Sequence, residues 1–228
     1  MELRPIAHVH TDFGSKFGVP RQSGLVPELT AVLEFAPEFR SPEAVRGLEQ
    51  FSHLWLIWQF SENADAGWSP TVRPPRLGGN RRVGVFASRS PFRPNPIGLS
   101  CVRLLELRHD QERGPLLILG GADLVDGTPV YDIKPYIPYA DAHPEAAGGF
   151  TDSTPRETLE VECPRSLLER FPEDRRSALL GVLAQDPRPA YQKDPERVYG
   201  FVFAGLDLRF SVEGRMLRVL EVNEYNNE

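Results

Sequence analysis

The 228-residue sequence predicts a mainly β fold in two parts: an antiparallel sheet or barrel over residues 1–145 and a smaller α+β part over 155–228. Three observations carry this expectation. In the first part the apolar segments are strand-length and separated by Gly- and Pro-containing loops, with no long helical period between them. No two glycines stand two positions apart, so the glycine-rich turn of a doubly wound dinucleotide fold is absent. A polar stretch from Ala140 to Thr158 (ADAHPEAAGGFTDSTPRET) then separates these segments from two helical periods.

The elements follow in order. Ile6–His10 reads as a strand, followed by the loop FGSKFGVPRQSGL and a second strand over Leu29–Phe35. Pro42–Phe51 reads as a short helix capped by Ser41. His53–Phe60 (HLWLIWQF) carries apolar residues on both faces and reads as a buried strand. A long loop holding Pro70, Pro74, Pro75, Gly78 and Gly79 leads to strands over Arg81–Phe86, Leu99–Leu107, Leu116–Gly120 and Val130–Ile133, the last stopped by Pro135. Beyond the polar stretch, Pro164–Phe171 and Glu173–Ala184 read as helices. In the second, Leu179, Leu180 and Leu183 share a face, and Glu173 and Asp174 complement the dipole of the first turn. Val198–Ala204 and Leu206–Tyr225 read as strands with a hairpin at Glu213–Gly214.

Charge is unevenly distributed. The formal net charge is −6, yet Ala66–Leu105 contains no Asp or Glu and carries Arg73, Arg76, Arg81, Arg82, Arg89, Arg93 and Arg103. A basic window in an acidic chain points to an anion-binding surface for phosphates, RNA backbone or a carboxylate. No apolar run approaches the ~18 residues of a membrane span. The start, MELRPIAHVH, has no basic region followed by an apolar one, so no secretory signal is expected. Cys101 and Cys163 form neither a CxxC pair nor a disulfide framework, which fits a reducing cytoplasm and argues against structural zinc.

Two stretches carry candidate chemistry. RSPFRPNPIGLS (Arg89–Ser100) holds two arginines on a backbone stiffened by Pro91, Pro94 and Pro96. GGADLVDGTPVYDIKPYIPYAD (Gly120–Asp141) brings Asp123, Asp126, Asp132, Lys134 and Tyr136 within a short reach. Its aspartates could hold a divalent cation, although Lys134 would repel one, or act as general bases and hydrogen-bond acceptors without metal. The five histidines are scattered and no nucleophile stands beside a base, so covalent catalysis is not expected. Near the end of the helical segment, AQDPRPAY holds Arg188 between two prolines and repeats the device of the Arg89–Ser100 loop.

Taken together, GVFASRSPFRPNPIGLS, GADLVDGTPVYDIKPY, PRQSGL, VRGLEQFSHLWL, RPPRLGGN and AQDPRPAY resemble the TrmO family, also called TsaA-like or YaeB-like. The resemblance covers nearly the whole chain and is strongest over residues 20–140. It implies an S-adenosylmethionine-dependent tRNA methyltransferase acting on N6 of threonylcarbamoyladenosine, 3′ of the anticodon in threonine tRNA. It further implies a barrel-like, non-Rossmann N-terminal domain and a homodimer with the cofactor near the subunit interface. Carried onto this chain, it puts Ser23, Gly24, Leu25, Ser61, Glu62, Arg89, Leu99, Gly120, Gly121, Ala122 and Asp123 around the cofactor.

Methyl transfer from a sulfonium requires alignment more than a protein nucleophile, which agrees with the missing nucleophile constellation. Asp126 or Asp132 is then expected as base or orienter, with Arg93 and Lys134 stabilising charge. Arg73, Arg76, Arg81 and Arg82 become phosphate contacts for the anticodon arm, joined by Tyr136, Arg188 and Tyr191 as RNA-binding residues. Two other classes remain open on sequence grounds: a metal-dependent hydrolase of nucleotides or RNA using the aspartates of Gly120–Asp141, and a non-catalytic tRNA- or cofactor-sensing module.

Overall fold

The computed structural model describes residues 2–63, 66–74, 77, 81–154, 157–189, 194 and 196–225. Among the described residues twelve strands are formed: β1 (Ala7–His10), β2 (Thr30–Phe35), β3 (His53–Gln59), β4 (Thr71–Val72), β5 (Val83–Gly84), β6 (Ile97–Asp110), β7 (Gly114–Gly120), β8 (Thr128–Pro135), β9 (Glu160–Glu162), β10 (Tyr199–Phe203), β11 (Leu206–Glu213) and β12 (Met216–Glu224). The α-helices are α1 (Pro138–Asp141), α2 (Arg165–Leu168) and α3 (Glu173–Ala184).

Six strands close into a barrel in the order β1-β2-β7-β6-β3-β8, every neighbouring pair antiparallel. Alternation sets its inside. In β3, Leu54, Leu56 and Trp58 are buried while His53, Trp55, Ile57 and Gln59 face outward. Ala7, Val9, Leu33, Val102, Leu117, Leu119 and Val130 fill the rest of the interior. A barrel of six strands is too narrow to do more than pack its own side chains, so any ligand site must lie at a rim or on the outer wall.

The register decides which rim carries the candidate residues. His10 of β1 pairs with Val32, Val9 pairs with Thr128, Thr30 pairs with Gly120, and Gln59 pairs with Ile97. The connections 11–29, 60–96 and 121–127 therefore all leave the same end of the barrel. Segments 20 to 100 residues apart in sequence converge there because antiparallel pairing returns each strand to one rim.

A second core lies beyond the polar linker. β10, β11 and β12 form an antiparallel sheet extended by β9, which is parallel to β12. Helix α3 covers it with Ala178, Leu179, Val182 and Leu183. This core also takes in Phe13, Val26 and Leu29 from the 11–29 connection, with Phe17 and Val19 packed against it. The Phe13 and Phe203 rings meet edge to face at 5.3 Å, and Arg175 of α3 pairs with Asp12 at 2.8 Å. The connection is thus covalently part of the barrel and packs as part of the second core.

Several local expectations change. Pro42–Phe51 is not a helix: it forms two 3₁₀ turns, Pro42–Val45 and Leu48–Gln50, and the Ser41 side chain caps neither. Gly47 between them has φ of 85°, which breaks any continuous helix. The Arg81–Phe86 segment pairs only through Val83–Gly84 and then turns into 3₁₀ at Val85–Ala87. Strand β3 is buried on one face rather than both. Strand β6 is longer than expected because its Asp110 end makes a hairpin with Gly114, beyond the apolar run. The helix expected over Pro164–Phe171 is the shorter α2, and Val182 rather than Leu180 completes the buried face of α3.

Candidate functional site

At the shared rim the PRQSGL and GGAD segments touch through backbone. Gly24 N–H donates to Gly121 O at 2.8 Å. Both glycines have positive φ, 76° and 71°, and a Cβ at Gly121 would lie 3.2 Å from Gly24 Cα and N. The two glycines are required by close approach as well as by conformation. Beside Gly24 a Cβ would meet nothing within 4 Å, so one side of the contact is open.

Asp123 lies just past this contact and is tied into the barrel. Trp58 Nε1–H donates to Ser100 Oγ at 3.0 Å, and Ser100 Oγ–H donates to Asp123 Oδ1 at 2.6 Å. The Ser23 backbone N–H also donates to the Asp123 carboxylate, and the Arg89 guanidinium acts on it electrostatically. Burial nonetheless wins, and the Asp123 carboxyl is held above the ordinary carboxylate range. Gly98 makes room for the chain of bonds: the Trp58 ring occupies the space a Cβ would fill, 2.3 Å from Trp58 Cε2.

The Arg89–Ser100 loop reaches the same place. Arg89 donates from Nη1 to Gln22 Oε1 of the PRQSGL segment, and Gln22 Nε2 donates to the Arg21 carbonyl. Arg93 turns back into its own loop, donating from Nη1 to Ser88 O at 2.7 Å and Val85 O at 3.2 Å, with its guanidinium 5.8 Å from the centre of the exposed Phe86 ring. The stiffness supplied by three prolines is therefore completed by an arginine that ties two carbonyls. Leu99 is 52% exposed and points away from the barrel interior, opposite Ser100 on the same strand. Ser61 and Glu62 are exposed on a short turn after β3, adjoining this loop through Phe60 N–H donating to Pro96 O at 2.9 Å. Gly120 and Ala122 are buried, Gly120 against Leu105 and Ala122 in the barrel core.

The remaining candidates spread out. Asp126 is exposed at the rim, accepting from Thr11 N–H at 3.0 Å with His10 Nδ1 3.4 Å away. Asp132 stands halfway along β8, in an ion pair with Lys134 at 2.9 Å. Ile57 pairs with Leu99 on one side and Asp132 on the other, so these three form a row on the outer wall. Tyr136 lies at the opposite rim against Trp55 and His53, roughly 26 Å along the strand from Thr128 at ~3.3 Å per residue. Arg81 and Arg73 are exposed, and Arg82 donates to Thr71 Oγ1 at 3.0 Å. Arg188 makes a two-pronged pair with Asp186, at 2.8 and 2.9 Å, on the second core. Arg76 and Tyr191 lie outside the described residues.

The structure therefore gathers Ser23, Gly24, Arg89, Gly121 and Asp123 at one rim, with Leu99, Ser61, Glu62, Arg93 and Asp126 on the same end of the barrel. It does not gather Lys134, Tyr136 and Arg188 with them within one chain. Sequence reasoning missed Gln22, Trp58 and Ser100, all of which hold this cluster. Ser100 ends the quoted loop motif and Trp58 falls on the inward face of β3; no spacing rule connects the two. Among the described residues, no three His, Cys, Asp or Glu side chains converge as a metal site requires, and no helix is long and apolar enough to cross a membrane.

The family model for the tRNA-methyltransferase O N-terminal domain matches residues 8–142, and the TrmO C-terminal domain model matches residues 157–225. A tRNA (adenine(37)-N6)-methyltransferase of Escherichia coli K12 is 47% identical over 201 residues, covering 86% of this chain and 85% of that protein. A Pseudomonas aeruginosa protein provisionally named an S-adenosylmethionine-dependent methyltransferase is 43% identical over 236 residues, covering 96% of each. The crystal structure of TrmO from Pseudomonas aeruginosa superposes with a TM-score of 0.79 at 37% identity, covering 97% of both chains. With both domain models matched in order and the fold shared over 97% of its length, the chain belongs to the TrmO family of methyltransferases.

Proposed function

We propose that the protein transfers a methyl group from S-adenosylmethionine to N6 of threonylcarbamoyladenosine, 3′ of the anticodon in threonine tRNA. The observation that carries this reading is the convergence of the Gly24–Gly121 contact, Asp123 and Arg89 at one barrel rim, on the chain that also presents the acid-free arginine window.

The residues fit the chemistry of the cofactor. The Asp123 carboxylate is an acceptor for ribose hydroxyls, Arg89 is a partner for the amino-acid carboxylate, exposed Leu99 offers apolar surface to a purine, and the glycines leave backbone accessible. Ser61 and Glu62 supply further polar groups at the same rim. When bound, the cofactor supplies a methyl group on a positively charged sulfur.

The chain's own residues then align the substrate nitrogen and handle its proton. A carbamoyl substituent makes the N6–H more acidic, so a carboxylate suffices to take or orient it. Asp126 is first candidate because it is exposed at the rim; Asp132, with Lys134 beside it, is second. Alanine at Asp126, Asp132 or Lys134 is expected to change stability by no more than about 1 kcal/mol, since these pairs are exposed. A loss of turnover at saturating cofactor then reports on the reaction, and near-wild-type turnover removes that residue from the mechanism. Arg93 enters as the brace of the loop that carries Arg89.

Arg73, Arg81 and Arg82 serve the anticodon-arm phosphates in this reading. Replacing Arg81 and Arg82 with alanine is expected to flatten the slope of log K for tRNA against log salt by about 1–2. An unchanged slope would take these residues off the RNA surface. A homodimer belongs to the same proposal: Phe86, Phe92, Ile97 and Leu99 are exposed beside the site, as a surface covered by a second copy would be. A single-chain mass by light scattering would remove it. A tRNA substrate also implies a cytoplasmic protein. The function itself is tested by mass spectrometry of threonine tRNA from a deletion strain; a retained methyl group on threonylcarbamoyladenosine would overturn it.

A further inference from the structure

We infer that the C-terminal domain positions the cofactor loop, so that α3 and the turn after it act on S-adenosylmethionine affinity without touching the cofactor. This rests on the reading that Arg21–Leu25 and Asp123 hold the cofactor.

Three independent contacts carry the inference, and each runs from the second core to one short segment. The first is packing. A Cβ at Gly181, in the last turn of α3, would lie 2.7 Å from Val26 Cγ1, so the helix presses directly on the residue that follows the PRQSGL motif. Val26 is 1% exposed and belongs to the second core, not to the barrel. The second is a similar approach at the other end of the loop: a Cβ at Gly18 would lie 2.6 Å from Phe201 Cδ2, and the Phe17 and Phe201 rings meet edge to face at 6.1 Å.

The third contact is polar and leads to the candidate site itself. The Asp186–Arg188 pair fixes the turn that ends α3, with Asp186 at φ of 52°. From that turn the Arg188 carbonyl accepts from Arg21 Nη2 at 3.2 Å. Gln22 Nε2 donates to the Arg21 carbonyl, and Gln22 Oε1 accepts from Arg89. Next in sequence, Ser23 N–H meets Asp123 and Gly24 N–H meets Gly121. The segment Arg21–Gly24 is thus gripped on one side by the C-terminal domain and on the other by the barrel rim. A chain with only the barrel would leave Phe17, Val19, Val26 and Leu29 without the core they pack into, and the loop without its outer wall.

The physical consequence is preorganisation. A loop held at both flanks loses little freedom on binding, so its restraint appears in cofactor affinity. The DPRP turn, whose Arg188 guanidinium is committed to Asp186, acts through its backbone carbonyl, and Gln22 is the positioning residue that transmits the restraint to Arg89.

The test is Gly181→Ala in the full-length protein, with S-adenosylmethionine affinity by calorimetry and steady-state KM and kcat on threonine tRNA. The added methyl must displace the Val26 side chain, and with it the loop is expected to shift. The expected result is a cofactor Kd and KM raised by about tenfold, with kcat at saturation of both substrates within about threefold and KM for tRNA unchanged. The double variant Gly181→Ala/Val26→Ala, which restores the space, is expected to regain most of the affinity. That recovery is not expected of a merely destabilised helix. Phe17→Ala is the second probe should Gly181→Ala fold poorly, since Phe17 is only partly buried. It is expected to weaken cofactor binding in the same direction. A folded Gly181→Ala or Phe17→Ala protein with wild-type cofactor affinity overturns the inference. Gly121→Ala separates the two levels: if it too binds normally, the rim is not the cofactor site, and if it alone weakens binding, only the role of the C-terminal domain fails.

Discussion

Asp123→Asn is expected to lower S-adenosylmethionine affinity by about 10- to 100-fold while leaving the melting temperature near neutral pH equal to or above that of the wild type. The two halves have one cause. Asp123 accepts from Ser100 Oγ–H and Ser23 N–H in a setting where desolvation outweighs those bonds and the field of Arg89. Its charge is therefore held at a cost to folding, and asparagine keeps the shape and an acceptor oxygen without that cost. A charged hydrogen bond contributes about 1.5–3 kcal/mol, and tenfold in affinity is about 1.4 kcal/mol, which sets the expected loss.

The pH dependence follows in sign. The folded-state pKa is raised above the ordinary value of 3.8, so the native protein binds the extra proton. The contribution of Asp123 to stability is fully present below the unfolded pKa and is lost as pH rises through the folded one. Melting curves of wild type and Asp123→Asn should therefore diverge in the variant's favour from acid toward neutral pH. Divergence in the opposite direction would show that hydrogen bonding, not burial, dominates at this carboxyl.

Gly98→Ala should produce the largest loss of stability among single changes at the rim, about 2–3 kcal/mol, or a melting temperature lowered by about 5–10 °C. The new methyl would fall 2.3–2.6 Å from three atoms of the Trp58 ring. Trp58 cannot yield cheaply, because it is largely buried, lies 4.3 Å from Phe60 in an edge contact, and donates to Ser100. Its displacement would also loosen the donor on Asp123, so cofactor affinity is expected to fall together with stability. A variant that melts like the wild type would mean that Trp58 has a second accommodated position and that the bond chain to Asp123 is not rigid.

Much of the barrel could be read from residues alone because strand-length apolar runs and turns are local properties. The strand-length apolar run LWLIWQ marks β3, although with apolar residues on both faces it does not say that Leu54, Leu56 and Trp58 are the inward set, and Asp126-Gly127 marks the turn into β8, where Gly127 takes φ of 74°. Misreadings fall where local signals compete. Pro42–Phe51 has helix-compatible residues, but Gly47 and the need to pack Val45 into the barrel core impose 3₁₀ turns. The Arg81–Phe86 run has strand propensity but pairs only with β4, across two residues.

The candidate site was legible in part for the same reason. Glycines at close backbone approach and prolines in a rigid loop leave marks in sequence, so Gly24, Gly121 and the Arg89–Ser100 loop stood out as motifs. Gln22 and Ser100 lie inside those motifs and Trp58 in the apolar run, but nothing local shows their roles, because these lie in partners more than 20 residues away: Ser100 meets Asp123, and Gln22 meets Arg89.

By itself the sequence determined most of the barrel strands, the mainly β class, the basic window and, through its motifs, the family. These depend on periodicity, composition and short-range backbone chemistry, which each segment carries wherever it lies. Only the tertiary structure decided which rim holds the site, that Arg93 braces its own loop, and that the 11–29 connection packs into the C-terminal core. Those outcomes depend on barrel closure and strand register, where one pairing choice fixes the neighbours of every connection at once.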